Sequence, residues 1–271
     1  MMNALALAPT TLPDTEPLAY LTAAVDAGYD AVGVRLFRSP GLPFHPVVGN
    51  GALIRDMKRV LADAHLPVLD VLSFYLQPAT DVEQFAPALA LGAELGARYA
   101  MTIGDDPEWG RLRDNLGRLC DVAARVGLTV VIEFVPFRVL ATLPMALQII
   151  GEVKRQNCAI CLDPLHLGRS GGRPADLVGL DRRLFPYAQL SDGVLGPGEP
   201  DLAIARQRGV GERRMLGEGS LPLRELLAAL PAGSPLSVEL PMPKTLHLSA
   251  RAWAKVALDD ARRFLASIDA A

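Results

Sequence analysis

The sequence has few cysteines, few histidines and few aromatic side chains. Its 271 residues include 3 Cys and 4 His, and 6% are aromatic. Three cysteines are too few, and odd in number, for the disulfide framework of a secreted domain, so we expect a protein of the reducing cytoplasm. The opening MMNALALAPTTLP lacks a basic segment, and its apolar run is too short for a signal sequence or a membrane span. We therefore expect no membrane association.

An excess of charge of either sign is also absent. The 27 Lys and Arg residues stand against 30 Asp and Glu, which gives a formal net charge of −3. Proteins that bind the phosphate backbone of nucleic acids usually carry a strongly basic surface, so the sequence predicts no nucleic-acid partner. Half of the residues are hydrophobic and 21% are charged, a composition that is typical of a globular chain with a large core.

Short apolar segments recur along the chain and alternate with helical patterns. The apolar segments predict strands at 3–8, 30–36, 67–72, 97–103, 128–134, 158–163, 185–191 and 235–240. Several of these segments show no polar alternation, as expected for parallel strands that helices cover. Helical patterns lie between them, among others at 16–27, 51–64, 81–95, 107–126, 142–155 and 246–267.

Eight strands that alternate with helices predict a single α/β domain over residues 1–271, folded as a (β/α)8 TIM barrel. No Ser/Gly-rich linker or charge block divides the chain. An open doubly wound sheet is the alternative, but no GxGxxG motif follows the first strand and no GxxxxGK[ST] motif is present. In a TIM barrel, catalytic residues lie at the carboxyl ends of the strands, which directs attention to those positions.

Oxygen-bearing side chains stand at the ends of the last four predicted strands. These residues are Glu133, Asp163, Gln189 and Glu239. Three carboxylates buried together raise one another's pKa values and are costly without a counter-charge, which a divalent cation would supply. An oxygen-dominated set of ligands favours Mn²⁺ or Mg²⁺, whereas Zn²⁺ usually binds His or Cys. The alternative, that these side chains bond to loop backbone or pair with arginines, stays open at this point.

Two further residues are candidates for the same site. His166 lies three residues after Asp163, and we interpret it as a site residue, although a packed core histidine is the alternative. Arg35 ends the second predicted strand, and its forked guanidinium suits a substrate carboxylate or phosphate. A salt bridge in the barrel wall is the alternative for Arg35.

Five segments of the sequence, taken in order, resemble the xylose isomerase-like TIM-barrel superfamily of sugar isomerases and epimerases. They are VVIEF, CLDPLHLGRSGG, YAQLSDG, RMLGEGSLPL and LSVELP. The resemblance covers essentially the whole chain, and it implies that Glu133, Asp163 and Glu239 are metal ligands. Gln189 stands where the keto-sugar epimerases of the superfamily have a histidine ligand. An amide oxygen can still bind a metal ion, but more weakly than imidazole does.

The resemblance also implies a reaction, namely proton abstraction next to a carbonyl through an enediolate. It implies that Glu133 and Glu239 act as the catalytic acid and base and that His166 polarises a substrate oxygen. The epimerases place a substrate-binding arginine shortly after the ligand on strand seven, and QLSDGVLG contains none. Arg213 and Arg214 are the nearest replacements, and we assign Arg214, with His166 and Arg35, to substrate binding.

The sequence therefore predicts a metal-dependent isomerase or epimerase that acts on a small carbohydrate-like substrate, either a sugar, a keto-sugar or a related polyol. A dehydratase or lyase on the same scaffold is the first alternative, and it includes enzymes that cleave 3-keto-glycosides. A non-catalytic sugar-binding barrel, in which Gln189 marks a decayed metal site, is the second alternative. A homo-oligomer stays open, because the helical outer faces of such barrels often form dimers.

Overall fold

Parallel strands form a closed barrel that helices surround. The computed structural model describes residues 3–196, 213–243 and 246–269. The barrel strands are β1 (Leu5–Leu7), β2 (Ala31–Arg35), β3 (Val68–Leu76), β4 (Tyr99–Gly104), β5 (Thr129–Ile132), β6 (Cys158–Leu162), β7 (Tyr187–Leu190) and β10 (Leu236–Val238). They follow one another around the barrel in chain order, and β10 pairs with both β7 and β1 to close it. The predicted TIM barrel is confirmed.

A second, very small sheet lies between β7 and β10 in the sequence. It consists of β8 (Asp192–Gly193) and β9 (Arg213–Arg214), which pair antiparallel. The register sets Asp192 opposite Arg214 and Gly193 opposite Arg213. This pair of strands brings the chain around residue 213 back to the end of β7, at the mouth of the barrel.

The helices cover the outside of the barrel. In the described residues they are α1 (Pro17–Ala27), α2 (Gly51–Asp63), α3 (Ala86–Glu94), α4 (Trp109–Ala124), α5 (Leu143–Val153), α6 (Pro164–Arg169), α7 (Leu223–Ala229) and α8 (Ala250–Asp269). The helical patterns predict all of these except α6 and α7, which have only 6 and 7 residues and are too short to show a period. None of the helices in these ranges is long and apolar enough to cross a membrane.

Most predicted boundaries lie within two residues of the observed ones, but two differ by four residues. The third strand, predicted to end at residue 72, continues to Leu76, because the register against β4 shifts between Val71 and Phe74 and pairing then resumes. The last helix, predicted to start at residue 246, starts at Ala250 instead. Ser249 precedes this helix, and its hydroxyl oxygen accepts a hydrogen bond from the backbone N–H of Ala252, as an N-terminal cap does.

The barrel interior determines where the polar residues lie. Successive side chains of a strand point to opposite faces, so Cys158 packs among the helices whereas Cys161 points into the barrel. Val131, Cys161 and Tyr187 belong to the same interior cluster. Two positions further along these three strands stand residues 133, 163 and 189, which therefore point inward at the carboxyl end of the barrel.

A pair of helical glycines tests the packing between helices and strands. A Cβ atom on Gly92 of α3 would lie 2.8 Å from Cγ1 of the buried Val71, whereas one on Gly151 of α5 would meet no atom of the described residues within 4 Å. Overpacking of a core costs about 1–3 kcal/mol, and alanine is about 1 kcal/mol better than glycine in a helix. We expect Gly92→Ala to lower the free energy of unfolding in urea and Gly151→Ala to raise it. Equal effects of the two substitutions would contradict the packing described here.

Candidate active site at the barrel mouth

Four of the predicted site residues lie at the carboxyl ends of four neighbouring strands. Glu133 follows β5, Asp163 follows β6, Gln189 is the third residue of β7, and Glu239 follows β10. Each has at most 6% of its surface exposed. The barrel thus gathers three carboxyl groups and one amide in a nearly dry environment.

Asp163 presents its two carboxylate oxygens to different partners. It caps the N-terminus of α6, and its Oδ1 accepts hydrogen bonds from the backbone N–H groups of Leu165 (2.7 Å) and His166 (3.1 Å). Pro164 occupies the first turn of α6, where the missing N–H costs no hydrogen bond. With Oδ1 held in this way, Oδ2 is the oxygen that faces the other strand-end residues.

The side chains around Asp163 have the composition of a metal site. Glu133, Asp163 and His166 each offer one ligand atom, and these atoms lie within 4.8 Å of one another. His166 Nε2 is 3.7 Å from Asp163 Oδ2 and 3.9 Å from Glu133 Oε1. The Gln189 side chain lowers the pKa of Glu133 against the larger effect of burial, while its Oε1 is buried without a hydrogen-bond partner in the described part of the chain. These donors fit a divalent cation.

An arginine side chain also enters this cluster. Arg213 is the first residue of β9, and 1% of its side chain is exposed. Its Nη2 lies 2.6 Å from Asp163 Oδ2 and 3.3 Å from Glu239 Oε2. Its Nη1 donates a hydrogen bond to Ser191 Oγ at 2.6 Å. The guanidinium therefore supplies positive charge between two of the predicted metal ligands.

Arg214, which was predicted to bind substrate, does not share this position. It is exposed on the two-stranded sheet, opposite Asp192. Neighbouring residues of a strand point to opposite faces, so only one member of the Arg213–Arg214 pair can enter the mouth. The sequence RR does not distinguish the two arginines. In the structure it is the side chain of Arg213 that enters the site.

Asp192 holds the loop that follows Arg213. Its Oδ2 accepts hydrogen bonds from the backbone N–H groups of Gly217 and Gly219, both at 3.0 Å. Its Oδ1 accepts from Gly193 (2.7 Å) and Leu221 (3.3 Å). A Cβ atom on Gly219 would overlap Asp192 Oδ1, so this position requires glycine. The buried carboxylate of Asp192 thus fixes the segment that brings Arg213 into the site.

Burial and charge set the protonation states of the site. Burial and the neighbouring carboxylates raise the pKa of Glu133, and burial raises the pKa of Glu239. Burial would also raise the pKa of Asp163, but Arg213 and His166 outweigh it and hold this pKa below its usual range. Burial lowers the pKa of His166 to about 4, so its imidazole is neutral near pH 7. Glu133 and Glu239 are consequently the two groups suited to accept protons.

Arg35 lies at the end of β2 and is partly buried. Its Nη1 donates to the backbone oxygen of Pro43 at 3.3 Å, while Nε and Nη2 have no hydrogen-bond partner among the described residues. It lines a small cavity of about 40 Å³ together with Tyr20 and Phe44. In the described ranges Arg35 forms no salt bridge of the barrel wall, which was the alternative for this residue.

Aromatic rings form one wall beside His166. The ring of Phe137 meets the imidazole of His166 edge-on, with 5.9 Å between the ring centroids. The guanidinium carbon of Arg138 lies 5.4 Å from the ring centroid of Tyr75 and 5.6 Å from that of Phe137. Asp105 holds Arg138 in place through an ion pair of 2.9 Å. This wall limits the space on the β3–β5 side of the mouth.

A polar pair lies in the barrel interior, and no sequence pattern predicts it. The hydroxyl of Tyr187 donates a hydrogen bond to Asp70 Oδ2 at 2.5 Å, and both side chains are buried. Burial raises the pKa of Asp70 to about 6. Asp70 lies within the apolar segment PVLDVL of β3. The register of β3 shifts against both neighbouring strands, so simple alternation along this segment does not show which side chains point inward.

The sequence matches a family model described as "Xylose isomerase-like TIM barrel" over residues 21–267. A curated protein, the 3-dehydroshikimate dehydratase of Bacillus anthracis, is 38% identical to this chain over 71 residues. That match covers 26% of this chain and 24% of the dehydratase, so it spans about a quarter of the length of that relative.

Solved structures with the same fold extend over nearly the whole chain. The IolI protein, whose crystal structure has a binding zinc atom, gives a TM-score of 0.78 at 20% identity and covers 98% of this chain and 99% of its own. The probable 3-DHS dehydratase AsbF of Bacillus anthracis gives 0.70 at 17% identity, covering 96% and 99%. The D-allulose 3-epimerase of Methylomonas sp., in complex with D-allulose, gives 0.66 at 17% identity, covering 96% of each chain. At these identities the likeness shows the fold alone.

The buried pair in the barrel interior predicts a pH dependence of stability. The pKa of Asp70 is raised from 3.8 to about 6 by folding, so folding favours its protonated form, and this contribution is lost as the pH rises through about 6. Asp70→Asn keeps an acceptor for the Tyr187 hydroxyl and does not titrate. We expect the free energy of unfolding of the variant, relative to the wild type, to increase by about 2 kcal/mol from about pH 4 to about pH 7.

Urea unfolding at a series of pH values measures this difference. Asp114→Asn, at an exposed carboxylate of α4, serves as the control and should show no such trend. A constant difference between Asp70→Asn and the wild type at all pH values would contradict a raised pKa of Asp70.

Proposed function

The chain belongs to the xylose isomerase-like TIM barrel family, and we propose that it is a divalent-metal-dependent isomerase or epimerase of a sugar, a keto-sugar or a related polyol. The proposed reaction is proton abstraction next to a carbonyl, which proceeds through an enediolate. The observation that carries the proposal is the buried convergence of carboxylates from β5, β6 and β10 at the mouth of the barrel, beside Gln189 and His166.

In this proposal Glu133, Asp163, Gln189 and Glu239 hold the metal ion. Their donor atoms are oxygens, which favours Mn²⁺ or Mg²⁺, although the zinc in the IolI structure makes Zn²⁺ a necessary member of any metal panel. When bound, such an ion supplies positive charge that stabilises negative charge on substrate oxygens. Gln189 Oε1 has no hydrogen-bond partner among the described residues, which supports the inclusion of Gln189 among the ligands.

Glu133 and Glu239 are the proposed acid and base. They follow β5 and β10, which are separated around the barrel by β6 and β7, so they approach the site from different sides. One removes a proton from the carbon next to the carbonyl, and the other returns a proton. The pKa of each glutamate is raised by burial, which makes each a better proton acceptor near neutral pH than an exposed carboxylate.

His166, Arg35 and Arg213 are the proposed substrate contacts. His166 is neutral near pH 7, so it can donate a hydrogen bond to a substrate oxygen without adding charge to the site. Arg35 offers two donors, Nε and Nη2, that have no other partner in the described residues. Arg213 takes the role first assigned to Arg214, because its side chain is the one that enters the mouth.

Solvent deuterium exchange tests the proposal. The metal-loaded protein is incubated in D₂O with a panel of ketohexoses and keto-polyols, and deuterium incorporation next to the carbonyl is measured by NMR and mass spectrometry. We expect exchange that EDTA abolishes and Mn²⁺ restores. Glu133→Gln removes a base and should slow the exchange by roughly 10²–10⁴-fold, since a general base contributes about that much.

The matched control for Glu133→Gln is Glu225→Gln, at an exposed position of α7, which should exchange at the wild-type rate. Exchange that is insensitive to EDTA would refute a metal-dependent reaction. A protein that binds Mn²⁺ and the sugar but catalyses no exchange would instead be a sugar-binding barrel.

A dehydratase is the second candidate, and the short match to the 3-dehydroshikimate dehydratase of Bacillus anthracis favours it. The same abstraction of a proton, followed by loss of a β-hydroxyl group, gives elimination instead of isomerisation. Mass spectrometry of the products separates the two, because isomerisation conserves the substrate mass and dehydration removes one water. Products of unchanged mass with every substrate, 3-dehydroshikimate included, would rule out the dehydratase.

A further inference from the structure

Asp163 has one carboxylate oxygen available to the site, and Arg213 holds it. Oδ1 already accepts two backbone N–H groups at the start of α6. Oδ2 is 2.6 Å from Arg213 Nη2, and the same nitrogen is 3.3 Å from Glu239 Oε2. The guanidinium therefore lies between the oxygens that these two residues would offer to a metal ion.

A divalent cation that bound both oxygens would take the place that the guanidinium occupies between them. Mg²⁺ binds carboxylate oxygens at about 2.0–2.1 Å, which is closer than a hydrogen-bonded nitrogen can approach. An ion at that distance from both oxygens would press against Nη2 and would meet its positive charge in a site that is nearly free of water. Binding of the ion consequently requires the guanidinium to leave Asp163 Oδ2.

We propose that Arg213 is a tethered counter-ion that exchanges with the divalent metal ion at Asp163 and Glu239. This inference rests on the proposed function only in taking the strand-end residues as metal ligands. Without the ion, the guanidinium neutralises part of the negative charge of the buried carboxylates. With the ion bound, that role passes to the metal, and Nη2 is released into the mouth of the barrel.

The surroundings of Arg213 allow this exchange without a change in the barrel. The guanidinium of Arg213 also donates a hydrogen bond from Nη1 to Ser191 Oγ. The backbone of Arg213 is fixed by the pairing of β9 with β8. Its Nε has no hydrogen-bond partner in the described residues, so a rotation of the guanidinium loses few contacts. Asp192 keeps the loop after Arg213 in place through three backbone hydrogen bonds, from Gly217, Gly219 and Leu221.

Substitution of Arg213 by Met tests the exchange, because methionine fills similar space without charge. A charge-assisted hydrogen bond that must be broken costs enough free energy to weaken metal binding roughly 10- to 100-fold. We therefore expect Arg213→Met to bind Mn²⁺ that much more tightly than the wild type in isothermal titration calorimetry. The metal-free variant should melt at a lower temperature than the metal-free wild type, since its carboxylates lack a counter-charge.

Arg214→Met is the matched control, because it removes the same charge from the adjacent exposed position. It should leave both the Mn²⁺ affinity and the metal-free melting temperature at wild-type values. Arg213→Lys, which keeps the charge, covers the case in which Arg213→Met does not fold without metal. It should fold in the absence of metal and bind Mn²⁺ less tightly than Arg213→Met refolded in Mn²⁺.

The outcomes separate this inference from the proposed function. If the wild type binds Mn²⁺ and Arg213→Met binds it equally or more weakly, the exchange is refuted while the metal-dependent function stands. If only Arg213→Met binds Mn²⁺, the guanidinium holds the site permanently, which refutes both the exchange and the metal-dependent function. If neither protein binds Mn²⁺, Mg²⁺ or Zn²⁺, both proposals fail.

Discussion

The mutual repulsion of three carboxylates in a nearly dry barrel mouth is the constraint to which the surrounding structure responds. Each carboxylate of the cluster would lose its charge, or destabilise the fold, without compensation. The compensation comes from several sources: two backbone N–H groups of α6 for Asp163, an amide for Glu133, and Arg213 between Asp163 and Glu239. The imidazole of His166 is neutral near pH 7, so at that pH the positive charge comes from Arg213. The site is therefore organised around a requirement for positive charge that its own chain meets only in part.

The architecture could be predicted because a TIM barrel repeats one local pattern. Each barrel strand is a short apolar segment followed by a helical one, and all eight strands are found where the sequence predicts them. The errors fall where the pattern is weakest. The end of β3 lies beyond a shift of register that depends on the neighbouring strand. Helix α6, which Asp163 caps, and helix α7, which has no side-chain cap, are too short to show a period.

The positions of the strand-end residues were predictable for the same reason, since the fold places the ends of all strands at one mouth. The contacts among them were not. Whether Arg213 or Arg214 faces the site depends on the pairing of β9 with β8, two strands that are distant in sequence. Asp70 and Tyr187 come from opposite parts of the barrel, and no local feature of PVLDVL or YAQLSD indicates that they touch. Sequence patterns give the location of such groups, whereas their partners depend on the closed barrel.

Arg213 reaches the carboxylates from β9, which begins a loop outside the barrel sheet. Asp192 and the glycines that it binds shape this loop, and none of them contributes to the barrel sheet. Changes in this one segment can thus alter the electrostatic character of the mouth while the eight strand ends keep their places. Related barrels can therefore differ in chemistry through substitutions in this segment, while the barrel itself keeps its stability.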